Sequence, residues 1–221
     1  MDILFEDKHI LICEKPVGMS SEPNGSGNDI VTLASLYTGH TCFPIHRLDQ
    51  TTGGAIVLAK TRDSSAKLSA MVQNRNVSKE YLAIVDGIPA EEHGTMQDLL
   101  FRDSHKNKSF VVTRMRTGVR NASLEYRLLS TTDTDSCGKI SLVLIKLHTG
   151  RTHQIRVQFA SREIPLLGDR KYGSRENRCT TALWSFRIHF KHPMTGEIIN
   201  AVSFPKRTWP WTEFNADYPD I

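Results

Sequence analysis

His46-Arg47-Leu48-Asp49-Gln50-Thr51-Thr52-Gly53-Gly54 sets an ionisable trio, two hydroxyls and two adjacent glycines directly ahead of the apolar run Ala55 to Ala59. A polar loop anchored to a buried strand is a layout that commonly carries active-site groups. The chemistry on offer is that of a carboxylate, because Asp49 can act as nucleophile or base and then leave again. Taken alone, Asp49 can equally cap a turn or pair with Arg47. A second cluster has the same placement. The strand-like stretch Lys139 to Leu147 runs straight into His148-Thr149-Gly150-Arg151-Thr152-His153-Gln154-Ile155-Arg156-Val157, whose hydrogen-bonding side chains do not suit a core. Between the two clusters, Tyr81 to Val85, closed by Asp86-Gly87, reads as a strand with Lys79 and Tyr81 at its mouth. By pattern alone Tyr81 is better read as an edge aromatic packed on the sheet.

The elements that must position these groups follow from periodicity. Ile10 to Cys13 is a short buried strand ended by the turn Glu14 to Gly18. Ile30, Leu33, Ala34 and Tyr37 recur at helical spacing behind Asn28 or Asp29 as a cap, and Asp63 or Ser64 caps a second helix with Leu68, Met71 and Val72 on one face. Residues 88 to 120 alternate turn chemistry with short apolar runs and carry Arg102, Lys106, Lys108, Arg114, Arg116 and Arg120. Ala122 to Leu129 and Lys139 to Leu147 form a hairpin around the polar loop Thr131 to Gly138; beyond the second cluster Ile155, Val157 and Phe159 fit strand period while Ile155 and Phe159 also fit helical spacing, and the stretch is read as helix. Gly168 to Gly173 is read as loop, Trp184, Phe186, Ile188 and Phe190 mark a half-buried strand, and Trp209-Pro210-Trp211 packs as a terminal lid. The fold class is α+β with a mostly antiparallel mixed sheet flanked by helices and loops.

A chain of 221 residues suits one large domain or two small ones, and nothing in it demands a second. No apolar run approaches the roughly 18 residues of a membrane span, and Asp2, Glu6 and Asp7 stand where a signal peptide would be basic and then apolar. The expectation is a cytoplasmic protein with no membrane partner. Cys13, Cys42, Cys137 and Cys179 are too far apart in sequence for a zinc ribbon or a redox dithiol and are read as free core thiols. His40-x-Cys42 with His46, and His189-x-x-His192, lack the paired spacing of zinc sites, so no metal is expected. Net charge is only +4, but Arg151, Arg156, Arg162, Arg170, Lys171, Arg175, Arg178, Arg187 and Lys191 face only Glu163, Asp169 and Glu176 over one segment. That local excess can track a phosphate backbone.

Together these marks resemble one family. His46-Arg47-Leu48-Asp49-x-x-Thr52-Gly53 followed by Leu58-Ala59-Lys60-Thr61 is similar to the signature of the RluA-type pseudouridine synthases. The supporting marks stand in the family's order: Lys15-Pro16-x-Gly18, Arg75-x-Val77-x-Lys79-x-Tyr81, Gly150 to Val157, Gly168-Asp169-x-x-Tyr172-Gly173 and His192-Pro193. The resemblance implies a single catalytic domain over residues 1–221, with a central active-site cleft, that converts uridine to pseudouridine in ribosomal or transfer RNA without metal or organic cofactor. It implies Asp49 as the essential carboxylate, Arg156 as the arginine that pairs with it, and Tyr81 as the aromatic that stacks on the target uracil. His46, Arg47, Thr52, Lys79, Arg151 and His153 are the expected RNA-binding residues. Base flipping is expected, with Arg47 filling the vacated space or contacting phosphate. Arg151 and His153 organise their loop or bind phosphate, and Thr51 and Thr52 are loop hydrogen bonders.

Three positions depart from the family's pattern: Gly53 stands where Ser is common, Gln158 where His is usual, and Glu22 where His often precedes Pro. The N-terminal S4-type domain of many relatives is not expected in front of this pattern. Neither a protein partner nor a higher oligomer than a monomer is implied. The rival readings are a catalytically silent RNA-binding module of the same fold and a nucleoside hydrolase or glycosidase. The second requires another carboxyl group near the first, which neither cluster offers.

Overall fold

The computed structural model describes residues 1–214 and Tyr218. In chain order the elements are β1 (Ile3–Glu6), β2 (Ile10–Lys15), α1 (Ile30–Thr38), β3 (Phe43–Pro44), β4 (Gly53–Ala59), α2 (Arg62–Gln73) and β5 (Val77–Asp86). There follow β6 (His93–Asp103), β7 (Lys108–Val112), β8 (Val119–Thr134), β9 (Gly138–Leu147), α3 (Gln154–Ala160), β10 (Leu183–Lys191) and β11 (Ile198–Val202). They fall into two compact units, Met1–Glu80 with Trp184–Pro205, and Tyr81–Leu183 with Lys206–Ile221.

In the first unit β2 runs antiparallel to both β1 and β4, β3 pairs with the far end of β4, and β11 lies antiparallel on β10. A parallel pairing, Trp184 and Ser185 of β10 beside Gly53 and Gly54 of β4, makes the sheet mixed. All seven residues of β4 are buried, as a continuous apolar run covered on both faces must be. One face packs Ile10, Ile12 and Val57 with Ile188, Phe190 and Leu68 of α2, and Met71 and Val72 lie partly buried against them. The cap of α2 is Thr61, not Asp63 or Ser64. Thr61 and Ser64 form a reciprocal capping box, each side chain bonding the other's backbone N–H. Asp29 caps α1 as expected, but Val31 is buried and Tyr37 stays exposed.

The two adjacent glycines belong to strand β4, and the pairing with β10 explains them. A Cβ on Gly53 would stand 2.3 Å from the ring of Trp184, and Gly54, at φ +107°, would meet the Ser185 carbonyl oxygen at 2.3 Å. The departure Ser to Gly at position 53 is therefore matched to the indole. Gly53→Ser is expected to destabilise the protein by about 1–3 kcal/mol, the usual cost of overpacking, read as a lowered thermal midpoint. An unchanged midpoint would mean that Trp184 moves aside freely.

The second unit orders its strands β5-β9-β8-β6-β7, with antiparallel ladders between β9 and β8, β8 and β6, and β6 and β7. The β8–β9 hairpin is longer than its apolar residues suggest. Thr131 to Asp133 continue the ladder opposite Lys139 to Ser141, so the connection shrinks to Asp135–Cys137. Pairing of backbone groups does not require apolar side chains, and threonine favours strands. α3 is helical as read. Within Gly168 to Gly173, Arg170–Tyr172 form a single 3₁₀ turn. Among the thiols Cys13 and Cys42 are buried, whereas Cys137 and Cys179 are half-buried and so are not core thiols in the full sense. The thiol of Cys137 donates to the Glu176 carboxylate at 2.9 Å. Trp211 is buried, and the Arg178 guanidinium stacks 4.1 Å over Trp209.

Candidate active site

In the first unit the Asp49 loop is held through its backbone. The Ser21 hydroxyl donates to the Leu48 carbonyl at 2.8 Å and accepts from the Leu48 N–H at 2.9 Å. On the other side the Gln50 carbonyl accepts from the Gly18 N–H at 2.8 Å, and the Gln50 amide donates back to the Gly18 carbonyl at 2.9 Å. The Thr52 N–H closes the turn on the Asp49 carbonyl at 2.9 Å. Both neighbours of Asp49 are thus fixed by the segment 18–21. The hydroxyls of Thr51 and Thr52 do not supply these bonds. Both are buried without a hydrogen-bond partner among the described residues, which corrects their reading as loop hydrogen bonders.

His46 accepts from the Val57 N–H through Nε2 at 3.2 Å, so its proton sits on Nδ1, which is buried and without a hydrogen-bond partner among the described residues. Burial, helped by the charge of Lys79, pushes its pKa down to about 3. The ring is therefore neutral at physiological pH and brings no positive charge to a phosphate. Because the folded value lies below the ordinary 6.5, the unfolded chain binds the extra proton between those limits, and stability falls as pH drops through that window. The expected result is that His46→Gln is less sensitive than the wild type to acidification from about pH 6.5 toward 4. Equal acid sensitivity of the two midpoints would count against a buried neutral ring. Lys79, on β5, also has its pKa lowered by burial. Arg47 pairs with Glu22 at 3.1 Å, both side chains about half exposed, so the Glu22 departure supplies its partner. An exposed pair of this kind is worth at most about 1 kcal/mol and gives way readily to a phosphate.

In the second unit the Gly150 to Val157 cluster folds into the start of α3. Gln154 anchors it, accepting from the Thr149 hydroxyl at 2.7 Å and the Arg151 N–H at 3.0 Å while donating to the Ser123 carbonyl at 3.1 Å. Arg151 donates through Nε to the Asn121 carbonyl at 3.0 Å, the loop-organising option. His153 adopts φ +53° at the helix start, with Nδ1 2.9 Å from the Tyr172 hydroxyl. That hydroxyl accepts from the Ser109 N–H at 2.8 Å.

Arg156 makes a two-point fork with Asp169, Nε to Oδ2 at 2.6 Å and Nη2 to Oδ1 at 2.8 Å, with side-chain exposures of 7% and 1%. Its guanidinium also lies 5.1 Å from the centre of the Tyr172 ring. A planar guanidinium held this way has its orientation fixed, as a lysine would not. Asp169 and Tyr172 had no assigned role in the sequence reading. The signal that could have found them was an acid and an aromatic three residues apart, bracketed by glycines. Gly168, at φ +75°, would bring a Cβ to 2.5 Å from the Thr180 carbonyl, so the bracket is a steric requirement. Gln158, in place of the usual His, is buried and donates to Asp98 at 2.7 Å and to the Met96 carbonyl at 3.3 Å. Tyr81 is buried on β5. Among the described residues no three His, Cys, Asp or Glu side chains are grouped to hold a metal, and no helix is long and apolar enough to cross a membrane.

The family model described as RNA pseudouridylate synthase matches residues 9–161. The chain is 37% identical over 211 residues to an uncharacterized RNA pseudouridine synthase of Bacillus subtilis (strain 168), covering 91% of this chain and 67% of that protein. It is 30% identical to ribosomal large subunit pseudouridine synthase D of Borreliella burgdorferi, covering 93% and 65%. It thus spans about two thirds of the length of these relatives. Human RNA Pseudouridylate Synthase Domain Containing 1 aligns with a TM-score of 0.78 at 22% identity, over 95% of this chain and 85% of that one. Human RNA Pseudouridylate Synthase Domain Containing 4 gives 0.74 at 24%, over 93% and 89%. At those identities the two structures speak for the fold. With the family model covering more than half of the sequence and carrying the Asp49 motif inside it, the chain belongs to the RNA pseudouridylate synthase family, of the RluA type that its motifs resemble.

Proposed function

We propose that residues 1–221 work as one catalytic domain that isomerises particular uridines of ribosomal or transfer RNA, with Asp49 as the essential carboxylate. The reaction breaks the N1 glycosidic bond and rejoins the same uracil through C5. What most supports the role of Asp49 is the turn pinned on both flanks, because binding RNA alone calls for no carboxylate facing a phosphate-rich ligand. Arg156 is the paired arginine in this reading. The target uridine leaves its stack to react.

Tyr81 stacks on the flipped uracil, and its hydroxyl assists proton removal from C5 late in the reaction. Tyr81→Phe is then expected to keep RNA affinity while turnover falls by about 10²-fold or more, the range of general acid–base assistance. Release of isotope from C5-labelled uridine in RNA measures this, and undiminished release would confine Tyr81 to stacking. Arg47, Lys79 and Arg151 are assigned to phosphate, joined by the exposed Arg102, Lys106, Arg114, Arg116 and Arg120 of the second unit. His46, Thr52 and His153 act by shaping the loops that RNA meets. The protein works as a cytoplasmic monomer without a protein partner.

The printed name of the Borreliella relative makes large-subunit ribosomal RNA the first place to look. The decisive experiment maps pseudouridine at nucleotide resolution in ribosomal and transfer RNA of the source cell, with and without this protein. A site that vanishes names the substrate, and identical maps would overturn both RNA classes.

A further inference from the structure

Strands β6 and β7 end the strand order of the second unit, and alternation gives their hairpin two unlike faces. One face packs Leu100, with Val111 partly buried beside it, against Val157 and Tyr172. The other carries Leu99 and Phe101 opposite Val112 and Phe110, and the two phenylalanines are direct cross-strand partners. These side chains are half-buried, so each keeps part of its surface open to water. Cations stand over both rings. The Arg116 guanidinium lies 4.9 Å from the centre of Phe101, and the Lys108 ammonium lies 5.7 Å from that of Phe110 and 5.0 Å from that of Tyr172. From Ser104 to Leu124 the chain carries Lys106, Lys108, Arg114, Arg116 and Arg120 and no acidic residue. A carboxylate on this face, Asp103, stands opposite Lys108 in register and accepts from the Lys106 N–H at 3.0 Å.

Adjacent rings on a sheet, rimmed by arginine and lysine, can hold a single strand of nucleic acid, the rings taking bases and the cations phosphates. We propose that this face of β6 and β7 is a stacking platform for unpaired nucleotides of the substrate RNA other than the target uridine. Phe101 and Phe110 each take a base, and Lys108, Arg114 and Arg116 take the phosphates between them. This rests on the reading of the protein as an enzyme that acts on RNA. An exposed cation–π contact holds a ring by a factor of about five at most, whereas a stacked base contributes roughly five- to 150-fold. A base therefore displaces the guanidinium from Phe101, and the freed arginine turns to phosphate. The consequence is a substrate class. RNA with unpaired nucleotides near the target is bound in preference to A-form duplex, whose bases are already stacked on one another.

The test measures binding of a fluorescein-labelled oligocytidylate, which offers no uridine to the active site, and of a blunt RNA duplex of the same length. The proteins are wild type, Phe101→Leu, Phe110→Leu and Phe110→Trp, with thermal midpoints as the check on folding. Each Leu variant is expected to lose about five-fold or more in affinity for the single strand and less than about two-fold for the duplex. Phe110→Trp is expected to bind the single strand at least as tightly as wild type, with its added indole fluorescence quenched on binding. On transcribed ribosomal and transfer RNA labelled at uridine C5, the loss in the Leu variants should fall on KM more than on kcat. Single-strand affinity within about two-fold of wild type in both Leu variants, an equal loss for strand and duplex, or an unquenched indole would each overturn the platform. So would a wild-type dimer that Phe110→Leu dissolves with RNA affinity unchanged, which would make the face an interface between copies. If a Leu variant does not fold, Phe110→Trp decides it. No isotope release by the wild type from either RNA class would overturn the reading underneath, whereas wild-type release that the Leu variants match at every RNA concentration would overturn the platform alone.

Discussion

Asp49→Asn is expected to lower isomerisation by about 10⁴-fold or more, the scale on which removing a principal reacting group acts, while RNA affinity stays within a few-fold. The amide keeps the size of the side chain and removes its charge and its capacity to act as nucleophile or base. The turn itself should survive. Bonds that shape it run through the backbone of Leu48, Gln50 and Thr52 and through Ser21 and Gly18, which the substitution leaves in place. Isotope release from C5-labelled RNA measures the chemistry, and a fluorescence titration with the same RNA measures binding. Substantial residual turnover would remove Asp49 from the reaction. Joint loss of turnover and binding would make the aspartate a binding residue and leave the chemistry to another group.

The sequence announced the parts of the molecule that local rules govern. Ala55 to Ala59 of β4 read as a buried apolar run, the alternation of Trp184 to Phe190 read as a half-buried strand, and Ile155 with Phe159 kept helical spacing in α3. It was silent where distant segments meet. Lys15 looks like any lysine at the end of a strand, because its type predicts exposure, and only the return of residue 50 beside it closes the site over the ammonium. Gly53 reads as loop glycine until Trp184 is seen to occupy the space of its missing side chain. Strand β6 escaped notice because only Met96 and Leu100 along it are fully buried, too sparse a pattern for a period of two. The Asp169 fork was hidden for a related reason. Two charged residues thirteen positions apart share no helical or strand period, and it is the turn at Gly168 that brings them together.

That fork yields the second large effect. Asp169→Asn leaves the Arg156 guanidinium buried against a neutral amide, and breaking one side of a buried pair costs about 3–5 kcal/mol. Arg156→Lys is expected to cost less stability, since a charge remains, but to reduce turnover strongly, because an ammonium cannot give two parallel N–H bonds or hold a plane beside Tyr172. Loss of rate in both variants is ambiguous on its own, as a damaged fold also slows an enzyme. The double variant Arg156→Met with Asp169→Leu resolves this, because apolar residues of similar volume commonly replace a buried ion pair with little loss of stability and sometimes a gain. The expected outcome is a thermal midpoint restored to near the wild-type value with isomerisation still absent. If turnover returned with the midpoint, the fork would serve the fold alone. If it does not, the guanidinium is needed for what it presents to the reaction, and Asp169 is needed to hold it there.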